Sequence, residues 1–375
     1  MVPRRLAVPL AATLALGAVA LGPSRGGPVT IAVAFAKAPD ASSAPKVALL
    51  ATRPGAAHST LHLVRPGDTT APAAVATLPH LEDGVVRAAT LPASDAVIAV
   101  AETEATRDLS FNAGAFLVAP HAPPVKLCDR VVHASRPLVT AAGRVFVSRG
   151  VAGPEQPGAA RADDLTIDEV DAATGKTRVV HAFSGYLGFL AGALGREVLV
   201  YRIAPAGADV VAVDADTGKT RVVLASLLPY ARDFSVDHAS KALLFTERDE
   251  SKSREWVVDR LDLATGARAR LARGSSMALS PFALPGGRVL WSPEGKDGLH
   301  ALAGPLPKLS GPLGDGADVV SSISPDGAFL TGLHAPPGRL AEPFVLSLAD
   351  GRAARLAAPP GARIAVAGFA TGGSR

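Results

Sequence analysis

Two stretches of the chain are nearly identical: Asp171-Ala-Ala-Thr-Gly-Lys-Thr-Arg-Val-Val180 and Asp214-Ala-Asp-Thr-Gly-Lys-Thr-Arg-Val-Val223. Related copies follow at residues 262–271 and 347–356. Each copy has an apolar run, a polar turn that contains glycine, and a second short apolar run. Glycine accepts the positive φ that tight hairpin turns require, so each copy predicts a β-hairpin. The β units recur with a period of about 47 residues, which indicates a repeat architecture.

A second kind of β-prone run recurs between these hairpins along the chain. Seven such runs begin at Val47, Val97, Val145, Val198, Leu243, Val289 and Phe329. Repeated β units at this spacing, without a convincing amphipathic helix between them, are typical of propellers. The sequence therefore predicts an all-β fold over residues 46–372, a seven-bladed β-propeller of four-stranded antiparallel blades.

The two ends of the predicted propeller complement each other. Residues 47–53 form a second-type run, so the first blade lacks an inner strand of its own. Residues 363–369 form a β-prone run with no hairpin after it. We predict that this C-terminal strand pairs with the first run and closes the first blade. Closure would remove a free sheet edge, which otherwise favours aggregation.

The N-terminal segment has the features of a secretory signal. Arg4 and Arg5 precede an almost wholly apolar stretch over residues 6–22. Small-x-small cleavage motifs end at Ala20 and at Ala36. The alternative is an uncleaved anchor in the membrane, because the apolar stretch is close to the shortest length that spans a bilayer.

We therefore expect residues 1–36 to be a signal peptide and residues 37–45 to be a linker. The protein is then expected to be periplasmic or secreted, and to touch a membrane only if the N-terminal segment is retained. The leader carries most of the formal net charge of +4, since it contains three arginines and no acid. The rest of the chain has no Lys/Arg run that could follow a phosphate backbone, which argues against nucleic acid as a partner.

The sequence contains no strong catalytic, cofactor or metal-binding motif. The nine histidines form no HExxH or HxH pattern, and no G-x-S-x-G nucleophile elbow occurs outside the predicted leader. A single cysteine excludes a disulfide within the chain and a cysteine-based zinc cluster. Asp214 and Asp216 imitate the start of a calcium loop but lack its distal glutamate, so we interpret them as turn residues. We predict no catalytic residue, no bound metal, no cofactor and a monomer.

The candidate binding residues follow from their position in the repeat. Loops after the second strand of each blade emerge on one face of a propeller, and such loops commonly carry binding functions. Six ionisable side chains fall at or just beyond these strand ends: Arg53, Glu102, Arg149, Arg202, Glu247 and His334. We predict that they form a polar ring around one mouth of the central channel. The alternative is ordinary solvated charge on surface loops.

The last repeat resembles the TolB-type propeller family. Its order is Ser324-Pro-Asp-Gly327, a strand at Phe329, a strand from Phe344, a turn at Asp350-Gly351 and then Arg355-Leu356. The resemblance implies a WD-like repeat propeller and a periplasmic interaction module. The Asp-x-x-Thr-Gly-Lys hairpins are also similar to repeats of quinoprotein-like propellers.

These features predict a non-enzymatic binding module whose partner is a protein or another cell-envelope component. A lactonase-like hydrolase with a metal in the channel is the first alternative, with Glu102, Asn112 and Glu247 as its candidate residues. A degenerate quinoprotein-like scaffold is the second alternative.

Overall fold

The computed structural model describes residues 45–105, 111–151, 164–185, 187–204, 206–228, 231–249, 255–274, 280–284, 287–292, 300–301, 316–349 and 351–372. The predicted signal peptide and the linker up to residue 44 lie outside these ranges. Every regular element within them is a β-strand. No helix in the described ranges has the length and apolar character needed to cross a membrane.

The strands follow one another at short intervals. The first fifteen are β1 (Lys46–Thr52), β2 (His58–Val64), β3 (Ala76–Pro79), β4 (Val86–Thr90), β5 (Val97–Glu102), β6 (Ala113–Val118), β7 (Val125–Val131), β8 (Leu138–Val139), β9 (Val145–Val151), β10 (Asp164–Val170), β11 (Thr177–Phe183), β12 (Leu187–Leu194), β13 (Glu197–Ala204), β14 (Gly207–Asp214) and β15 (Thr220–Leu227). The remainder are β16 (Arg232–Asp237), β17 (Ala242–Arg248), β18 (Trp256–Asp262), β19 (Arg268–Gly274), β20 (Phe282–Ala283), β21 (Val289–Trp291), β22 (His300–Ala301), β23 (Ala317–Ile323), β24 (Phe329–Ala335), β25 (Glu342–Ser347), β26 (Ala353–Arg355) and β27 (Arg363–Ala370).

The strands pair into antiparallel sheets that follow the order of the chain. In the described ranges, four sheets have four strands each: β27-β1-β2-β3, β12-β13-β14-β15, β16-β17-β18-β19 and β23-β24-β25-β26. Strands β20, β21 and β22 form a three-stranded sheet. Strands β4 to β11 form one eight-stranded sheet, in which a single residue pair, Val131 with Arg149, joins β7 to β9. Consecutive up-and-down strands of this kind form the blades of a β-propeller, as predicted.

The second strand of each blade is deeply buried. Val47 and Leu49 of β1 are buried, and so is every residue from Val97 to Ala101 in β5. A strand in the middle of a blade has a neighbouring blade against each of its faces, so both faces are apolar. This packing explains why the second strands are continuous apolar runs in the sequence, without polar alternation.

The apolar core lies between neighbouring blades. One cluster joins Leu50 of the first blade to Phe116 of the next sheet. Another joins Leu199 of β13 to Phe245 of β17 in the following blade. Stacking sheets around an axis in this way buries apolar surface at each interface, which is the main stabilising contribution in such a fold.

The C-terminal strand closes the first blade, as predicted. β27 pairs antiparallel with β1, and Leu50 lies opposite Ala365. β27 also contacts β4 and β23, the inner strands of the blades on either side. An apolar cluster joins Val345 of β25 to Val47 and Val366. The first and last described strands thus meet in one sheet and complete the ring of blades.

The repeated Asp-x-x-Thr-Gly segments form turns between the third and outer strands. In each copy, one aspartate oxygen accepts two backbone N–H groups at distances of 2.8–3.2 Å; the residues are Asp171, Asp214 and Asp262. Hydrogen bonds from the threonine three positions ahead, together with those from the intervening backbone, lower the pKa of these carboxyl groups. The geometry is that of an Asx turn, which agrees with the interpretation of Asp214 as a turn residue.

The arginine of the repeat joins one blade to the next. Arg178 and Arg221 occupy equivalent positions, and each donates to a carbonyl oxygen in the turn of the following blade, at 2.6 and 3.3 Å. Each also pairs with a glutamate of its own blade, Glu169 at 2.5 Å and Glu197 at 2.7 Å. The repeated Thr-Arg-Val-Val sequence therefore encodes contacts between blades as well as a strand.

Gly218 and Gly266 provide a matched test of this blade packing. Both have a left-handed φ, 70° and 73°. A Cβ at Gly218 would lie 2.6 Å from the carbonyl oxygen of Val180, whereas no described atom lies within 4 Å of a Cβ at Gly266. We expect Gly266→Ala to lower the free energy of unfolding by about 1 kcal/mol through its φ alone. Gly218→Ala should cost about 1–2 kcal/mol more, because the adjacent blade must shift. Chemical denaturation measures both, and equal losses would contradict the close contact.

Candidate functional site

The six predicted residues lie where the second strands end. Arg53 directly follows β1 and Glu102 ends β5, while the other four lie near the C-terminal ends of β9, β13, β17 and β24. Consecutive strands alternate in direction, so the second strand points the same way in every blade. The six residues therefore share one face of the propeller, which we call the second-strand face.

Two arginines of this face are held by aspartates on the neighbouring strand. Arg149 Nη1 lies 2.7 Å from the Oδ2 of Asp168, which is fully buried, and Arg149 Nε donates to a backbone carbonyl. Arg202 makes a two-pronged contact with Asp209, at 2.8 and 2.5 Å, and lies over the Phe183 ring at 4.5 Å. Bidentate and charge-assisted contacts of this kind fix both position and orientation.

Glu247 belongs to a larger ionic network within the sheet β16–β19. It pairs with Arg268, which also contacts the buried Asp259. Burial raises the pKa of Glu247, and the bond from Arg268 opposes this shift. Asp249 accepts from Arg270 and Arg273, each at 2.7 Å. The side chain of Glu247 is thus fixed by a network that spans three strands.

His334 forms a buried pair with an inner strand. Its Nδ1 lies 2.7 Å from Asp318 Oδ1, and both side chains are almost fully buried. The backbone N–H of Asp318 donates to Ser292 Oγ at 2.8 Å, which connects the pair to the sheet β20–β22. The Nε2 of His334 is buried and has no hydrogen-bond partner among the described residues.

Glu102 and Arg53 differ in their surroundings. One oxygen of Glu102 accepts the Val85 N–H at 2.6 Å, and the other accepts Asn112 Nδ2 at 3.1 Å. Two of the three residues proposed for a hydrolase, Glu102 and Asn112, are therefore in contact, whereas Glu247 pairs with Arg268. Arg53 is exposed. In the described part of the chain, no group of three or more His, Cys, Asp or Glu side chains is placed to hold a metal ion.

Arg136 lies in the channel between inner strands, which contact one another in the order β23, β27, β4, β8, β12, β16 and β20. It lies in the segment before β8, and its guanidinium donates to carbonyl oxygens of three other inner strands. The partners are Ala88 at 2.8 Å, Ser321 at 2.9 Å and Ala367 at 2.7 Å. Burial, followed by the charge of Arg87, lowers the pKa of Arg136 to about 10, so the group stays protonated at neutral pH.

Two further arginines extend the basic character of the channel. Arg87 of β4 and Arg232 of β16 lie close enough for each charge to act on the other. Arg232 Nε donates to Asp233 at 3.0 Å. Burial raises the pKa of Asp233, and the arginines oppose that shift. Arg87 therefore lies close to two other guanidinium groups, those of Arg136 and Arg232, which come from separate parts of the chain.

Sequence reasoning did not find these channel arginines. The apolar runs mark the second strands, and the six candidate residues are predicted at the ends of those runs. Inner strands such as β4 are less apolar, and Arg136 lies outside any long strand. The available signal was the position of Arg87 and Arg232, each about ten residues before an apolar run, where the preceding strand of the same blade falls.

No protein-family model and no curated protein sequence matches this chain. Its structure is similar to TolB from Acinetobacter baumannii, with 13% identity over 86% of this chain and 67% of that one, and a TM-score of 0.47. It is also similar to a prolyl endopeptidase, with 14% identity over 86% of this chain and 50% of that one, and a TM-score of 0.50. A chain of a nidogen/laminin complex matches with 12% identity over 86% and 99% of the two chains, and a TM-score of 0.41.

The protein spans about two thirds of the TolB chain and half of the prolyl endopeptidase chain. At these identities the likeness to the prolyl endopeptidase shows the β-propeller fold alone. The function has to be argued from the second-strand face and the channel of this protein.

Proposed function

We propose that this protein is an exported, non-enzymatic binding module that holds a protein or cell-envelope component on its second-strand face. The proposal rests on one observation: charged side chains on that face are held in place by ionic partners. Arg149, Arg202 and Glu247 are each held by ionic partners, so they present a pre-formed charge pattern without a further ordering cost. Arg53 supplies an exposed charge beside them.

We also propose that the ring has seven blades over residues 46–372. Four sheets supply one blade each, the eight-stranded sheet supplies two, and β20–β22 supplies the inner three strands of the sixth. Residues 302–315, which follow β22 in the chain, lie outside the described ranges. An experimental structure that shows six or eight blades would contradict this count.

Capture experiments test the binding face. Arg53 and Arg65 are both exposed arginines, and they flank the two ends of β2, so they lie on opposite faces of the propeller. We expect Arg53→Glu to reduce capture of a specific partner from envelope extract, and Arg65→Glu to leave it unchanged. Quantitative mass spectrometry of cross-linked complexes measures the recovery. If both variants recover the partner equally, the second-strand face is not the binding face.

Export gives a separate prediction. We expect the mature protein to lack the leader, with its first residue at position 21 or 37, depending on which cleavage motif is used. Mass spectrometry of the soluble periplasmic or secreted fraction reads this terminus directly. Recovery of a soluble species that retains Met1 would contradict the signal-peptide assignment.

A metal-dependent hydrolase of the lactonase-like kind is the second candidate function. The Oδ1 of Asn112 is buried without a hydrogen-bond partner among the described residues, while its Nδ2 contacts Glu102. This oxygen supports the hydrolase, because hard divalent cations prefer carboxylate and amide oxygens as ligands. Elemental analysis of protein purified without chelator distinguishes the two functions. Stoichiometric metal that is lost in a Glu102→Gln variant would favour the hydrolase over the binding module.

A further inference from the structure

One nitrogen of Arg87, on the inner strand β4, lacks a hydrogen-bond partner in the described structure. The Nε of Arg87 is buried and has no hydrogen-bond partner among the described residues. Three charged groups act on it: Arg232, Asp233 and Glu102. A buried N–H donor without a hydrogen-bond partner costs free energy, because it loses hydration without gaining a bond.

The two acids near Arg87 are already engaged by other groups. Asp233 accepts from Arg232 and lies next to Ser280. Glu102 accepts from the Val85 N–H and from Asn112, one on each oxygen. Neither carboxylate makes a hydrogen bond to Arg87 in the described structure. Burial raises the pKa of Asp233, and the charges of Arg232 and Arg87 oppose this shift.

Arg136 lies close to Arg87, and three hydrogen bonds hold it in place. Its hydrogen bonds to β4, β23 and β27 place the guanidinium across the channel. One of those carbonyls belongs to Ala88, the residue after Arg87, so the two arginines lie close together. Their charges interact, and Arg87 is a secondary cause of the lowered pKa of Arg136.

We infer that the channel binds a small oxyanion between Arg87 and Arg232, with Arg136 forming the base of the site. A guanidinium presents its N–H groups in a planar fork that matches the oxygens of a carboxylate or a phosphate. Arg87 lies near the start of β4 and Arg232 at the start of β16, which are the strand ends on the second-strand face. The inference thus rests on the proposed function and gives that face a ligand of defined chemistry.

Titration calorimetry on the mature protein tests the site. Sodium phosphate and sodium acetate are titrated separately, and sodium chloride at equal ionic strength is the reference. We expect saturable 1:1 binding of at least one oxyanion, and a dissociation constant about tenfold or more higher in Arg87→Met, since one charged hydrogen-bonding group is lost. Arg65→Met, which removes an exposed arginine of the opposite face, is expected to bind as the wild type does. The phosphate and acetate arms distinguish a phosphoryl ligand from a carboxylate.

A second measurement uses the unaltered protein and does not depend on how the variant folds. Phenylglyoxal modifies accessible arginines, and peptide mass spectrometry reports the modification of Arg87. We expect the oxyanion that binds in calorimetry to slow modification of Arg87, and chloride to have no such effect. Absence of oxyanion binding beyond chloride would overturn the inference, as would an Arg87→Met affinity within twofold of the wild type.

The outcomes separate this inference from the proposed function. If partner capture depends on Arg53 and no oxyanion binds in the channel, the proposed anion site is wrong and the proposed binding face is supported. If oxyanion binding depends on Arg87 and no partner is captured, the anion site is supported and the proposed envelope-binding function is wrong.

Discussion

Truncation of the chain after Pro360 is expected to lower the free energy of unfolding by about 5 kcal/mol or more, since each buried large apolar side chain contributes about 1.5–3 kcal/mol. The truncation removes β27, in which Val366 and Phe369 are buried against the first and last blades. It also leaves the backbone of β1 without its partner on one side. A loss of this size is comparable to the whole stability of many domains, so we expect the truncated chain to open and aggregate.

Thermal and chemical denaturation of the truncated protein measure the effect. A chain that ends at Gly372 is the matched control, because it keeps β27 and all its described contacts. We expect this control to unfold as the full chain does. A truncation after Pro360 that melts at the temperature of the full chain would contradict closure by the C-terminal strand.

Arg136→Met is expected to cost about 3–5 kcal/mol, because charge-assisted hydrogen bonds contribute about 1.5–3 kcal/mol each and the carbonyls left behind are enclosed. Arg136 donates to inner strands of the first, second and last blades. These are the blades that meet where the ring closes. Methionine keeps most of the side-chain volume, so the loss reports hydrogen bonding and charge more than packing.

Arg339→Met is the control for loss of an arginine charge. Arg339 is largely exposed and pairs with Glu342 on the protein surface. Exposed ion pairs contribute little, so a change within about 0.5 kcal/mol is expected. Arg136→Lys keeps the charge without the planar fork and is expected to recover only part of the stability. An Arg136→Met variant within about 1 kcal/mol of the wild type would show that the channel contacts do not hold the ring closed.

The two perturbations should not be additive. Arg136 bonds directly to Ala367 of β27, so part of its contribution disappears with that strand. In the chain truncated after Pro360, we expect Arg136→Met to cost less than in the full chain. Additive effects would mean that the arginine and the strand stabilise the ring independently.

Local sequence predicted much of the fold. The apolar runs at Val47 and Val97 form second strands, because a strand packed between two blades has no polar face. The Thr-Gly turns were predicted because a left-handed φ favours glycine, and Gly218 has such a φ. The closing role of residues 363–370 followed from counting strands, since the first blade lacked an inner strand and the last run lacked a hairpin.

The sequence by itself thus determined the repeat, the blade pattern and the position of the six candidate residues on one face. Only the tertiary structure decided which charged side chains form ion pairs and which arginines lie near one another between the inner strands. Arg136 is 185 positions from Ser321 and 231 from Ala367, and the closed ring brings them together. The periodicity of a strand specifies which face a side chain occupies, but it carries no information about contacts across the channel. The channel chemistry of this protein therefore arises from the arrangement of the blades, because the arginines that create it come from separate inner strands.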